Sequence, residues 1–356
     1  PVTLPHCFNA EDAVDPDVNY YEGPGWYKTL LAIDNPYRNG RIVLDFDGAG
    51  QKTDVYVYTT HVGSHVGGYD SWNVDITDAV KAFLGSKDAE RFKGKVPLSI
   101  RCDNSRDLEM IPSDLADFNI YGGLYRYLNL VYLPEVSFEQ IRLESSLSSN
   151  LKEGILKVKT SFYNPEDIRK ADVTVSVYDV DRKPVFSKTL EGILPLGDQL
   201  LAKMKIKNPV LWDVDVPQLY TCELTVKTPD QTFTTEERFG FRHTEFKDKG
   251  PFFLNGKRLL LRGTHRHEDH AGVAQAMTED MMRREMRMMK DMGVNFIRLG
   301  HYQQSEIILD LCDELGILVW EEIPWCRGGL GGDVYKKQAR RMLANMIVQH
   351  HNHPAV

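Results

Sequence analysis

The sequence predicts a multidomain chain. A β jelly-roll sandwich is expected over residues 1–135 and an immunoglobulin-like β-sandwich over 136–246. The first βα units of an incomplete (β/α)8 TIM barrel are expected over 247–356. Three observations predict this. Short alternating runs rich in β-branched and aromatic residues, broken by glycines, fill the chain as far as about residue 244. From about residue 248 the apolar spacing changes to strands alternating with helices. Histidines and acids then cluster where those strands would end, which is where the chemistry of such barrels sits.

In the first unit, Ile42 to Phe46 and Asp54 to Tyr58 are the clearest strands, with Gly48, Gly50, Gly67 and Gly68 as breaks. A short helix is expected over Ala79 to Phe83, capped by Thr77 or Asp78. Strands of this length and number suit a sandwich or jelly roll. In the second unit Asp172 to Tyr178 alternates, with Val173, Val175 and Val177 on one face, and Leu219 to Lys227 alternates again. About a hundred residues of such strands suggest an immunoglobulin-like sandwich. Only Cys222 lies there, so the disulfide of antibody domains is ruled out.

In the third unit, Leu259 to Leu261 reads as a strand buried on both faces. Thr278 starts a helix with Glu279 and Asp280 in its first turn. Met282, Met286 and Met289 recur at helical spacing, with Met281, Met288 and Met292 beside them. They read as a core helix on a sheet rather than a partner groove. Val294 to Arg298 is the next strand, Ser305 to Leu315 the second helix, stopped by Gly316, and Ile317 to Trp320 the third strand. Val334 to His350 is the third helix, with Ala339, Leu343, Met346 and Ile347 on its core face. Three βα units do not close a barrel of eight strands, so the chain reads as a piece of a longer protein.

A net charge of -8 argues against a nucleic-acid surface, because phosphates demand a concentrated basic face. No apolar run reaches the roughly 18 residues of a membrane span. Pro1 to Pro5 shows neither the charged start nor the apolar core of a signal peptide. A trimmed N-terminus would look the same, so the compartment stays open: periplasmic or secreted after removal of a leader, cytoplasmic otherwise. The five cysteines (Cys7, Cys102, Cys222, Cys312 and Cys326) are scattered, odd in number and without CxxC spacing. Neither a disulfide framework nor a thiolate zinc site is expected, and buried packing is. Composition sets no limit on a homo-oligomer.

The sharpest local signal is Leu261-Arg262-Gly263-Thr264-His265-Arg266-His267-Glu268-Asp269. His265 and His267 share one face of an extended strand. Two functional readings compete with that of a polar structural turn. In the first, His-x-His binds a metal, as in amidohydrolase-type barrels. That reading needs further ligands on later strands, of which His301 is one. In the second, a histidine hydrogen-bonds a substrate while acids such as Glu268 hold it. The next signal is Arg298, followed by His301-Tyr302: an arginine inside a buried strand is costly unless it meets a carboxylate. The third is Trp320-Glu321-Glu322-Ile323-Pro324-Trp325, where Trp325 is either a wall for the apolar face of a sugar or a plain core residue.

Several segments together resemble glycoside hydrolase family 2, in family order and at family spacing. Asp117 to Arg126 resembles the end of that family's N-terminal jelly roll. Pro209 to Trp212 and Pro217 to Tyr220 resemble its immunoglobulin-like domain, and Phe239 to Arg242 with Phe253 to Lys257 the start of its barrel. Asn295 to Trp320, including His301-Tyr302, Asp313 and Gly316, resembles its first signature, and His351 to Val356 the start of its second. The resemblance implies an exo-acting retaining β-glycosidase working without a cofactor on β-linked oligosaccharides or glycosides. Its two glutamates sit about 5 Å apart, one protonating the leaving oxygen and the other forming a glycosyl-enzyme. Both would lie after Val356, so no catalytic residue is expected in this chain, and the chain alone is expected to be inactive.

By the same resemblance His267 and His301 bind sugar hydroxyls, and Asp103 reaches from the jelly roll to grip the sugar. Glu322 and Trp325 line the substrate, while Glu268 and Tyr302 support it. Arg298 orients and ionises the nucleophile. His301-Tyr302-Gln303 and the neutral look of the site put β-galactosidase first, with β-glucuronidase and β-mannosidase as alternatives. A non-catalytic carbohydrate-binding module and a metal-dependent barrel hydrolase are the alternatives of other classes. The chain departs from the family at Leu299-Gly300 before the histidine, where small residues are usual, and at Gln303, where proline is. Cys326 stands where some members carry a metal-binding glutamate, so no metal is assigned. His265 stands where asparagine or a similar residue is common, and its role is open.

Overall fold

A computed structural model of the chain describes residues 1–113, 116–165, 170–326 and 331–356. In the first unit Pro24–Leu31, Val96–Asp103, Lys52–Val57 and Thr60–Val66 form an antiparallel sheet in that order. Trp72–Asp75, Arg41–Phe46 and Leu128–Leu133 form a second sheet. Ile42, Leu44 and Phe46 from one sheet and Val55, Val57, Leu98 and Ile100 from the other close a shared core. The helix runs Thr77–Leu84 and starts earlier than expected. Neither Thr77 nor Asp78 caps it: Thr77 N donates to Asp75 Oδ1 (2.9 Å), and the Thr77 hydroxyl accepts from Ile42 N (2.8 Å). The threonine is drawn off to pin the helix to the sheet.

The second unit packs one sheet of Ser137–Leu147, Glu153–Tyr163 and Gly197–Lys207 against another of Pro184–Ile193, Ala171–Tyr178, Tyr220–Lys227 and Thr232–Phe239. Val173, Val175 and Val177 are all fully buried between them. Two-residue periodicity puts the three on one face, and each such burial contributes about 1.5–3 kcal/mol. A small sheet of Thr244–Phe246, Phe252–Leu254 and Lys257–Arg258 leads into the third unit.

Here Gly263–Arg266, Phe296–Leu299 and Leu318–Glu321 lie parallel in chain order. They alternate with the helices Glu279–Asp291 and Glu306–Leu315, and the helix Asp333–Gln349 follows. Thr278 caps the first helix by accepting from Met281 N. Gly316 ends the second at φ 68°, and a Cβ there would meet Val214 O at 2.4 Å, so no other residue fits the turn. Among the described residues no helix is long and apolar enough to cross a membrane.

Three expectations are corrected. Leu259 to Leu261 is not a strand, and Leu260 is 72% exposed, because the pairing with Phe296–Leu299 begins only at Gly263. Only Met282 and Met286 of the methionine helix are fully buried, while Met288 and Met292 face outward. In the last helix Tyr335 and Met342 are buried against Ile111, whereas Leu343 and Ile347 are exposed. These helices carry two apolar stripes, and periodicity alone does not say which one meets protein. The cysteine expectation stands for Cys7, Cys102, Cys222 and Cys312, which are buried and unpaired, whereas Cys326 is half-buried.

Where the three units meet, a cavity of about 720 Å³ is lined by Asp45, Asp47, Glu237, Glu306, Asp310 and Asp313 among others. Burial, then the charge of Glu306, pushes the Asp47 carboxyl up to about 7 from its ordinary 3.8. A carboxyl raised on folding favours the folded state at low pH. That contribution fades as pH rises from 3.8 and is gone above about 7. Asp47→Asn is therefore expected to stabilise the protein at pH 8 by on the order of 1–2 kcal/mol, allowing for partial solvation, and to give no gain at pH 4. Urea unfolding at the two pH values checks this; an equal shift at both would refute it.

Candidate functional site

The strand register sets the site. His265, Arg298 and Trp320 are partners across the three parallel strands, and Arg266, Leu299 and Glu321 form the next row. Successive side chains alternate in direction. Ile297, Leu299 and Arg266 are buried on the helix side. His265, Arg298 and Trp320 therefore line the other face, where Trp320 is 58% exposed. His267, His301 and Glu322 follow just beyond the strand ends.

Glu322 takes Arg298 with both oxygens, the Nη2–Oε2 bond being 3.0 Å, and His301 Nδ1 lies 3.0 Å from the same Oε2. The acid that Arg298 required is thus Glu322. Burial alone would raise the Glu322 carboxyl, but the bonds from Arg298 and His301 outweigh it and hold it below the usual carboxylate range. Glu322 is an orienting anion for two neighbours rather than a proton carrier. His265 and His267 stack at 4.9 Å between ring centroids, and His301 stands across them at 5.0 and 5.5 Å. One ring nitrogen from each lies within 4.8 Å of the others. Burial, then the neighbouring His265 and His301, lowers the His267 pKa. A neutral imidazole both donates and accepts, which suits a sugar hydroxyl.

The opposite wall comes from the first unit. The Phe118 ring lies 5.7 Å from His267, 6.2 Å from His301 and 5.2 Å from Tyr302. Asp117 accepts from Cys326 Sγ at 2.9 Å. A cavity of about 640 Å³ is lined by Asp117, Arg298, His301, Trp320, Glu322 and Trp325, among others. Trp325 is half-exposed at this cavity, not a core residue.

Several expected residues lie elsewhere. The Asp103 carboxylate is held by Arg101 and by the amide and hydroxyl of Ser105 in its own sandwich. No contact among the described residues ties it to the histidines. Asp117 and Phe118, rather than Asp103, are the residues of the first unit that face the histidines. They lie in the segment that resembles the end of the jelly roll, and their only sequence signal was an acid beside an aromatic residue there. Glu268 is fully buried, paired with Arg126 at 2.8 Å and accepting from Ser305 N at 2.9 Å. Arg126 also donates to the carbonyls of Asp47, Tyr69 and Gln303. Tyr302 is buried and stacks on Tyr69 at 4.2 Å; its hydroxyl accepts from Glu268 N and touches His267 Nδ1 at 3.3 Å. Glu268 and Tyr302 are both buried behind His267 rather than at the cavity. Gln303 is buried away from the cavity, its amide donating to Gln349. The lean toward galactose that it carried has no structural basis.

Residues 245–356 match the profile described as "Glycosyl hydrolases family 2, TIM barrel domain", and residues 136–242 match "Glycosyl hydrolases family 2". The structure of Bacteroides uniformis beta-glucuronidase 3 superposes with a TM-score of 0.95 at 61% identity, over 100% of this chain and 44% of that one. A putative beta-glucuronidase of Formosa agariphila is 39% identical over 100% of this chain and 41% of its own length. A beta-galactosidase of Thermoanaerobacter pseudethanolicus is 29% identical over 99% of this chain and 45% of its own length. The chain thus spans less than half the length of these relatives. With matching profiles from residue 136 to its last residue, the chain belongs to glycoside hydrolase family 2.

Proposed function

We propose that the full-length protein is an exo-acting retaining β-glycosidase that removes terminal β-linked glucuronic acid. The observation that carries this is the 61% identity, over the whole chain, to Bacteroides uniformis beta-glucuronidase 3. β-Galactosidase, first on the sequence alone, becomes the second reading: the galactosidase relative is 29% identical, and Gln303 is outside the cavity. The neutral look of the site does not argue against an acidic sugar. The residues that would grip a sugar carboxylate belong to strands other than these three. On this reading residues 1–135 are a jelly roll, 136–246 an immunoglobulin-like sandwich and 247–356 the first part of the catalytic barrel.

His301 and Asp117 at the cavity, with His267 beside them, then bind hydroxyls of the terminal sugar, and the exposed Trp325 offers a ring for its apolar face. The two bond-breaking glutamates come from later strands. One protonates the leaving oxygen; the other attacks the anomeric carbon, and water then releases the sugar with net retention. Arg298 supplies the positive charge that keeps the attacking carboxylate ionised, and Glu322 fixes its orientation.

Assaying the full-length protein on p-nitrophenyl glycosides tests the reading. The β-glucuronide is expected to be cleaved with a kcat/KM on the order of 100-fold or more above that for the β-galactoside. Equal or greater activity on the galactoside would overturn the assignment. The 356-residue chain alone is expected to release nothing from either.

A further inference from the structure

His265 has no part in the sugar reading, and it stands where the family usually has asparagine or a similar residue. Its ring makes no hydrogen bond among the described residues and packs on the rings of His267 and His301. Gly300 leaves room for it, since a Cβ there would lie 2.5 Å from His265 Nε2. The outcome is three imidazoles with one nitrogen from each inside a span of 4.8 Å.

Two of the three rings are held through Nδ1, His301 by Glu322 at 3.0 Å beside Arg298 Nη2 at 3.1 Å, and His267 by the Tyr302 hydroxyl at 3.3 Å; the Arg298 charge is offset by its pairing with Glu322. This leaves Nε2 of each for a ligand. A carboxylate behind the imidazole is the arrangement that orients histidines around metal ions. Three imidazoles suit zinc, copper or nickel rather than calcium or magnesium. Tetrahedral coordination at 2.0–2.1 Å puts ligand nitrogens about 3.4 Å apart, so the rings close by roughly an ångström or more on binding. The unbonded, exposed His265 supplies that movement.

We infer that His265, His267 and His301 bind a divalent cation of the zinc type, and that this cation and the sugar exclude each other. Only the exclusion rests on the proposed glycosidase function, because His267 and His301 serve both ligands. The cation acts as a reversible block on the site, and His265 is the ligand of the three that the sugar reading leaves unused.

The test titrates the full-length protein and its His265→Asn variant with zinc chloride by calorimetry. Hydrolysis of p-nitrophenyl β-glucuronide is followed in parallel with and without zinc. His265→Asn removes no side-chain hydrogen bond among the described residues, and a matching urea midpoint for the two proteins checks that the variant is folded. The wild type is expected to bind one more zinc equivalent than the variant and to be inhibited competitively at a zinc concentration at least 10-fold lower. The zinc-free rate of each protein is the baseline against which its inhibition is read. Equal zinc binding by the two proteins overturns the inference, whether or not they cleave glucuronides. One extra equivalent in a wild type that cleaves no glycoside keeps the cation site and removes the glycosidase reading.

Discussion

Replacing Glu268 by alanine is expected to destabilise the joint between the first sandwich and the barrel strands by about 3–5 kcal/mol. Both partners of the Glu268–Arg126 pair are sealed from water, with side-chain exposures of 0% and 1%. The variant leaves the Arg126 guanidinium buried without its counter-ion, and Arg266, whose Nη1 lies 4.0 Å from Glu268 Oε2, loses a compensating charge as well. The carbonyls of Asp47, Tyr69 and Gln303 still accept from Arg126, but no carbonyl neutralises a charge. Unfolding should show the first sandwich separating at lower urea than the rest, with faster protease cleavage between the two units. Because the units then melt separately, the midpoint of each transition is the proper readout. Cooperative unfolding within 1 kcal/mol of wild type would show that the pair contributes little.

Arg298→Ala in the full-length protein is expected to lower kcat by about 10²–10³-fold with a smaller change in KM. A second signature separates this role from mere structural damage. On the proposed glycosidase mechanism, loss of the guanidinium raises the pKa of the attacking carboxylate, so the acid limb of the pH–rate profile is expected to move to higher pH. Arg298→Lys is expected to recover only part of the rate, because an ammonium cannot hold both oxygens of Glu322 as the guanidinium does. Wild-type kcat in Arg298→Ala would remove Arg298 from the mechanism.

Local physics was legible in the sequence. Val173, Val175 and Val177 are buried as their two-residue period required, and Gly316 ends its helix as a glycine in the left-handed region does. The cluster of His267, His301 and Arg298 was legible because parallel strands deliver their C-terminal ends to one rim. Long-range pairing was not legible. Arg126 and Glu268 are 142 positions apart, and nothing local in either segment marks the other. Asp117 reaches the barrel only because two units dock, so Asp103, at the end of a clear strand, was the more visible acid. The choice between Met288 and Met286, or between Ile347 and Tyr335, depends on which side of a helix finds a neighbour. Spacing cannot encode that.

The wall formed by Asp117 and Phe118 is carried by a body other than the one that carries the histidines. Its position is therefore a matter of rigid-body alignment, like the two jaws of a caliper whose gap is set at the pivot. The Arg126–Glu268 pair and the Tyr69–Tyr302 stack are that pivot. A change there that tilts the sandwich by a few degrees opens or narrows the gap at Asp117 without touching a residue that lines the cavity. The shape of the cavity is thus open to tuning by substitutions that no inspection of its lining would select.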